Sequence, residues 1–459
     1  MKKDKKFGLD LTQGSIPVLL LRFAWPFLAA GLVSALYGAV DLFVVGHFSG
    51  QEVIAGVSTG SQVMNIVFAC TIGICTGGTV LVGRKIGERD DEGCARAVGT
   101  FLFVGVLLAV FVTAIIAIFR QPLLTALQTP DEARPAALSY LAFTIIGIPF
   151  SIGYNVICAI ARGLGNSSTP SIVGAIGAGA NIVLDFIFAG ALGWGAMGVA
   201  LATSVSQFVT FSVIGIWLIR RRFPFAFKKR DFGFHKESFA SIFKVGVPLW
   251  LQDLLVTLSF MIITGIVNAM GVVAGASVGL ISKVFSLGGM IPQSFGSALA
   301  AVSAQNLGAG KRDRALRALK YGIGYSLAIE IVLCALCQII PEQICGIFAN
   351  GKPEVVLGAA NYLRTFSIDL MLVSFVFCMN SFLSGCGMSS VSMVHSMIAT
   401  FGVRIPLSFL FTSLTDDVNR GLFLLGLASP IASVPSIVIC VVFIYMYNRK
   451  QKRLATVVT

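Results

Sequence analysis

Two aspartates, Asp41 and Asp185, stand inside long apolar runs in the first half of the chain, with no basic residue at comparable depth. A carboxylate taken out of water without a partner is costly, so each calls for a bound cation or a bound proton. Tyr37 precedes Asp41 by one helical turn, and Asn181 precedes Asp185 by one turn, so each pair shares a helix face. Asp41 lies about five residues, roughly 8 Å, inside the outer end of its run near Gly46. Asp185 has the same setback from Gly190, and Thr203 has it again counted from Gly198. Carboxylate, amide and hydroxyl oxygens from three helices can therefore meet at one level. Oxygen-only ligation suits a hard cation such as Na+, and two close carboxylates raise each other's affinity for protons. The same residues would also serve as a plain polar network bracing helices.

The second half is charged differently. Asp253, Glu330 and Asp369 are matched by Lys283, Arg364 and Arg404 within apolar runs, so buried ion pairs between helices are the expectation there. Asp253, Lys283 and Asp369 are kept as candidates for either an ion pair or a substrate contact. His47, His235 and His395 are scattered and none falls in an HExxH pattern, which leaves no catalytic residue or zinc site to nominate. Cys334 and Cys337 have CxxC spacing but sit in an apolar run, where buried thiols are expected.

These residues are positioned by helices that cross a bilayer. Apolar residues make up 56% of the 459 and charged ones 12%, far too few to coat a water-facing surface. About twelve stretches of spanning length start near Ile16, Val53, Ala97, Ala136, Pro170, Gly195, Phe239, Val273, Ala318, Leu357, Met393 and Leu422. The net charge of +13 raises nucleic acid as a partner, but the basic residues are bunched between apolar runs, as membrane topology requires. Arg84, Lys85, Arg89 and Arg96 mark one connection, Arg220 to Arg222 with Lys228 to Arg230 another, and Lys311, Arg312, Arg314 and Arg317 a third. These alternate with connections poor in Lys and Arg, which puts both termini in the cytoplasm, the last carrying Arg449, Lys450, Lys452 and Arg453. Lys2, Lys3, Lys5 and Lys6 ahead of an apolar run imitate a signal peptide. The recurrence of that run later in the chain argues against removal.

The recurrence is a duplication. Ala24-Trp25-Pro26 aligns with Gly246-Val247-Pro248, Gly83 to Gly87 with Ala304 to Gly308, Tyr140-Leu141 with Tyr362-Leu363, and Gly163 and Gly165 with Gly385 and Gly387. The expected organisation is a cytoplasmic segment 1–15, a six-helix lobe 16–219, a basic linker 220–238, a second six-helix lobe 239–447 and a basic tail 448–459. An even helix number per half gives both repeats the same orientation. The expected fold is thus all-α, two six-helix bundles related by a pseudo-two-fold axis along the membrane normal.

With its duplicated halves, Gly83-Arg-Lys-Ile-Gly87 after helix two and Ala161-Arg-Gly-Leu-Gly-Asn166 after helix four, the chain resembles the multidrug and toxin extrusion (MATE) family over essentially its whole length. Val40-Asp41 and Asn181-Ile-Val-Leu-Asp185 resemble the prokaryotic branch with its ion site in the N-terminal lobe. The resemblance implies that Asp41, Asn181, Asp185 and Thr203 bind the coupling cation, Na+ or H+, that Tyr37 lines the same lobe, and that Pro26 is either a gating bend or a static kink. Another branch carries an acid in helix seven deeper than Asp253, where this chain has Val256, which argues against coupling through the C-terminal lobe. The implied function is antiport of amphipathic, often cationic drugs or toxins by alternating access, in the inner membrane, as a monomer, with no cofactor. A flippase or exporter of a lipid-linked cell-wall or polysaccharide precursor would need a cationic cavity. An intramembrane enzyme would need clustered histidines, and a pure channel would not need duplicated lobes with asymmetric charge.

Overall fold

The computed structural model describes residues 7–48, 50–221, 223–348 and 352–458, with the side chains at 39, 41, 42 and 450–458 outside that description. Lys2 to Lys6 and Arg222, together with the side chains of Asp41, Lys450, Lys452 and Arg453, therefore fall outside the description. A backbone in lipid must satisfy its own hydrogen bonds, and the long Leu-, Val-, Ile- and Ala-rich runs do so as helices. In the first half these are α1 (Ile16–Phe48), α2 (Gln51–Glu88), α3 (Asp91–Ala126), α4 (Arg134–Gly163), α5 (Ser168–Asp185) and α6 (Gly195–Arg221). In the second half they are α7 (Lys236–Ala269), α8 (Val272–Gly308), α9 (Arg312–Ile339), α10 (Pro341–Phe348), α11 (Pro353–Phe366), α12 (Ile368–Gly385), α13 (Ser389–Met397), α14 (Ile405–Ser413) and α15 (Val418–Val458). Among the described residues twelve spans are long and apolar enough to cross a membrane. The protein is a multi-pass membrane protein, and the described residues contain no strand.

Two interruptions depart from plain α-helix. Phe186–Ala191 continues α5, and Ile398–Arg404 joins α13 to α14, each as a π-helical segment. Such widened turns are often found at functional sites because they re-aim side chains and loosen the hydrogen-bond ladder. Pro26 lies inside α1, which continues through it although the ring removes one backbone donor.

The chain packs as two compact units, one of Met1–Trp250 with Ala304–Arg312, the other of Leu251–Ser303 with Asp313–Thr459. The division falls within α7 and near the end of α8. In the first unit α4 is the central helix, packed by α2, α3 and α6. Small residues let the backbones approach: a Cβ on Gly56 would stand 2.7 Å from Ala136 Cβ, and one on Gly147 would stand 2.8 Å from Ser204 Oγ. The Ser204 hydroxyl donates to the Phe143 carbonyl at 2.8 Å, and that of Thr79 to the Ala159 carbonyl at 3.1 Å, tying α6 and α2 to α4. Ile118, Phe111 and Ile219 face outward, as lipid-facing side chains should.

The turn between α2 and α3 is held by charge. Arg89 adopts a left-handed conformation (φ 56°), Asp90 accepts the Gly93 N–H at 2.8 Å as the cap of α3, and the Lys85 ammonium bridges Glu88 and Asp90 at 2.9 and 3.0 Å. Nearby, the segment before α1 is strapped down. Leu9 N–H donates to the Gly165 carbonyl at 2.8 Å, and Leu11 N–H to Gln305 Oε1 at 3.2 Å. Gln305 Nε2 donates to the Gly163 carbonyl at 2.7 Å, and Asn306 Nδ2 to the Leu11 carbonyl at 3.0 Å. In the second unit α15 packs on α11 and α12 around Tyr362, Leu363, Phe366, Leu422 and Leu425, and the Thr365 hydroxyl donates to the Phe423 carbonyl at 2.8 Å.

Candidate functional site

Tyr37 on α1, Asn181 and Asp185 on α5, and Thr203 on α6 converge in the first unit. In the amide orientation that satisfies both of its ends, Asn181 Nδ2 donates to Asp185 Oδ2 at 3.1 Å and to Tyr37 Oη at 3.2 Å, while Asn181 Oδ1 accepts the Thr203 backbone N–H at 3.1 Å. Asn181 is 1% exposed and Asp185 is 0% exposed. Asn181 is the hub: one side chain links three helices and spends both ends of its amide doing so.

Local sequence explains the convergence. Asn181 and Asp185 are one turn apart on α5, and the π-helical segment begins directly after Asp185. Gly198 on α6 comes so close to that segment that a Cβ there would lie 2.8 Å from the Phe188 carbonyl carbon. The Gly190 backbone packs about the Phe48 ring at the end of α1. Thr203 enters differently from the reading of its hydroxyl as a ligand, since the atom that meets Asn181 is its backbone N–H. Asp41 belongs to α1, one turn beyond Tyr37, and its side chain is outside the described residues. The cluster offers a proton or a small cation a buried carboxyl whose Oδ2 already accepts the Asn181 amide.

The ion pairs expected in the second half are not formed. Among the described residues no pair within 4.0 Å joins Asp253, Glu330 or Asp369 to Lys283 or Arg404, and the bridge that does form is Arg364 to Glu342 at 3.6 Å. The reason is rotational: side chains at one depth pair only when their helix faces meet. Lys283 and Asp253 are on exposed faces. Asp369 is buried and accepts the Ser433 hydroxyl at 2.5 Å. Glu330 is 0% exposed, and neither carboxyl oxygen has a hydrogen-bond partner. Cys334 and Cys337 are buried free thiols. The histidines serve separate contacts, His395 lying 2.6 Å from Asn380 Oδ1 and 3.2 Å from Ser436 Oγ, and His235 lying 2.9 Å from Thr100 Oγ1.

Sequence reasoning treated Arg404 as one half of an ion pair and missed its surroundings. Its guanidinium instead stands 4.7 Å from the centre of the Phe260 ring, in the wall of a cavity of about 280 Å³ built wholly from the second unit. The signal available was the position of Arg404 within the repeat.

Twelve apolar spans among the described residues, in two compact units with a buried carboxyl-amide cluster in the first, are the build of a polytopic membrane protein, and the family match places it among transporters. The sequence model of the MatE family matches residues 26–187 and again residues 248–410, so the chain belongs to that family and carries its unit twice in tandem. It is 28% identical to "Probable multidrug resistance protein YoeA" of Bacillus subtilis (strain 168), over 86% of each chain. It is 22% identical to "Multidrug export protein MepA" of Staphylococcus haemolyticus (strain JCSC1435), over 90% of each. In fold it is similar, with a TM-score of 0.90 at 24% identity over 96% of this chain and 99% of the other, to a multidrug resistance MATE family transporter of the MOP superfamily in an outward-facing conformation.

Proposed function

We propose that this protein is a secondary active multidrug exporter of the cytoplasmic (inner) membrane, with both termini in the cytoplasm. It expels amphipathic, often cationic compounds by alternating access while Na+ or H+ enters. The coupling cation is held by Asp41, Asn181, Asp185 and Thr203, with Tyr37 lining the same lobe and Pro26 as the candidate bend of α1. The protein acts as a monomer and uses no cofactor. The observation that carries this reading is the convergence of Tyr37, Asp185 and Thr203 on the buried Asn181 amide, beside a fully buried carboxyl.

A carboxyl in an apolar lobe attracts a cationic drug, and a cation or proton arriving on the same carboxyl removes that attraction. The drug is then favoured on one face of the membrane and the ion on the other, which is all that exchange requires. The acidic character of the first lobe also argues against a phosphate-bearing lipid precursor as its cargo. The test is ethidium transport in proteoliposomes under Na+ and proton gradients imposed separately. Asp185→Asn keeps the shape and most of the hydrogen bonds but removes the charge, so the proposal expects gradient-driven transport to fall to the protein-free level while the variant still inserts and elutes as wild type. Normal transport by Asp185→Asn would reject the site.

A further inference from the structure

Three residues that line the cavity beside Arg404 stand in the second repeat at positions that correspond to members of the proposed cation cluster in the first. Counted from the start of each matched copy, Asp41 corresponds to Ile263; counted back from its end, Asn181 corresponds to Arg404 and Asp185 to Ser408. Ile263, Arg404 and Ser408 all line the cavity. At each of these positions the second repeat has lost an acid or gained a base, so the duplicated site has changed polarity.

What remains inside the cavity defines its ligand. Its lining contains no acid. The hydroxyls of Thr264, Ser282, Ser286 and Ser408 donate to carbonyls of Phe260, Val278, Ser282 and Arg404 at 2.8 to 3.0 Å, which uses up their protons. The Tyr362 and Ser429 hydroxyls also line the cavity, and the Arg404 guanidinium is the one cationic donor among the lining residues. Arg404 Nε is buried with no hydrogen-bond partner, and Asp369, which accepts the Ser433 hydroxyl, forms no bridge to the guanidinium within 4.0 Å. Phe260, Phe285, Tyr362 and Phe366 supply aromatic walls. A volume of about 280 Å³ is close to the lower end of ligand pockets, ~300 Å³, and suits a one- or two-ring compound.

We propose that this cavity binds a small amphipathic organic anion, its carboxylate or sulfonate on Arg404 and its apolar body against the aromatic walls. As a transport site it rests on the exporter reading; as a binding site it does not. A planar guanidinium gives paired, charge-assisted hydrogen bonds to such a group, and the dry walls strengthen them.

The test compares two probes with one ring system and opposite charge, naphthalene-1-sulfonate and 1-naphthylmethylammonium, by equilibrium dialysis against the full chain in phosphatidylcholine nanodiscs. Wild type is expected to prefer the sulfonate by at least tenfold, Arg404→Gln to abolish that preference, and Ser408→Asp to reverse it. Wild-type preference for the ammonium, or unchanged sulfonate binding by Arg404→Gln, overturns the proposal. If Arg404→Gln does not fold, the wild-type preference and Ser408→Asp still decide. Loss of sulfonate binding in discs containing phosphatidylglycerol would overturn the assignment to a soluble anion in favour of a lipid headgroup. Ethidium transport on the same preparations separates the two readings. Absent transport with intact sulfonate preference rejects the exporter and leaves the anion site standing, whereas intact transport without that preference rejects the anion site alone.

Discussion

At the scale of single residues, Asn181 does more than its spacing suggested. A residue one turn from a carboxylate is expected to share its face, but only the folded lobe shows that the same amide also reaches Tyr37 and the Thr203 backbone. Hydrogen bonds to a charged group are each worth about 1.5–3 kcal/mol, so Asn181→Ala should weaken the apparent affinity for the coupling ion by roughly 10- to 100-fold. Tyr37→Phe removes one neutral partner and should cost about tenfold or less. Both are read from the dependence of ethidium transport rate on Na+ concentration and on pH. Equal effects of the two substitutions would argue that Asn181 is not the hub. That Asp185 would be a buried acid with a polar neighbour was legible from charge alone, because an acid in an apolar run with no base at its depth must find a cation, a proton or a polar neighbour. The wiring around Asp185 was not, since an amide's orientation is set by its neighbours in space.

At the scale of elements, the α2–α3 turn shows what a short polar sequence can specify. Gly87-Glu88-Arg89-Asp90 ends one spanning helix and begins the next, with Asp90 as cap and Lys85 folded back on it. The Gly93 N–H, and then the Lys85 ammonium, hold the Asp90 carboxyl below the usual carboxylate range. Because the folded value is depressed, this stabilisation is complete above the ordinary carboxylate value and is lost as the pH falls through the lowered one. Asp90→Ala should therefore cost about 1 kcal/mol at pH 7. The difference from wild type should shrink below about pH 3.9, where the carboxyl of the unfolded chain takes up its proton while the folded one still resists. Thermal unfolding in detergent at both pH values measures it, and a difference independent of pH would assign the effect to something other than the carboxylate cap. The π-helical segments after Asp185 and before α14 lie at the opposite extreme. Their residues, Phe186 to Ala191 and Ile398 to Arg404, carry no motif that marks a widened turn, and the first of them lies where Gly198 packs closely on Phe188.

At the scale of the whole molecule, topology is the quantity that the sequence states most directly and that one experiment reads. The alternation of basic and non-basic connections predicts that a reporter joined after Lys236 is cytoplasmic, while cysteines introduced at Asp131 and Asp416 react with impermeant reagents from outside. A cytoplasmic Asp416 would break the count of spans. Hydrophobic length and charge asymmetry act on each segment independently as it meets the bilayer, and so the number of spans, their order and the duplication could all be read from the chain. The tandem MatE match at residues 26–187 and 248–410 bears out the duplication. Pairing among charges of the second half could not be read in this way. Three acids and three bases balanced on paper, yet Glu330 lies buried without a partner, Lys283 is exposed, and Arg404 turns to an aromatic-walled cavity. A count of charges takes no account of helix rotation, and a few tens of degrees decide whether two side chains at one depth meet or face apart. The sequence by itself therefore determined the membrane, the spans, the repeat and the first lobe's acids. The hydrogen-bond hub at Asn181, the widened turns and the cavity that Arg404 enters were decided only by tertiary packing, because each depends on which faces of separate helices are brought together.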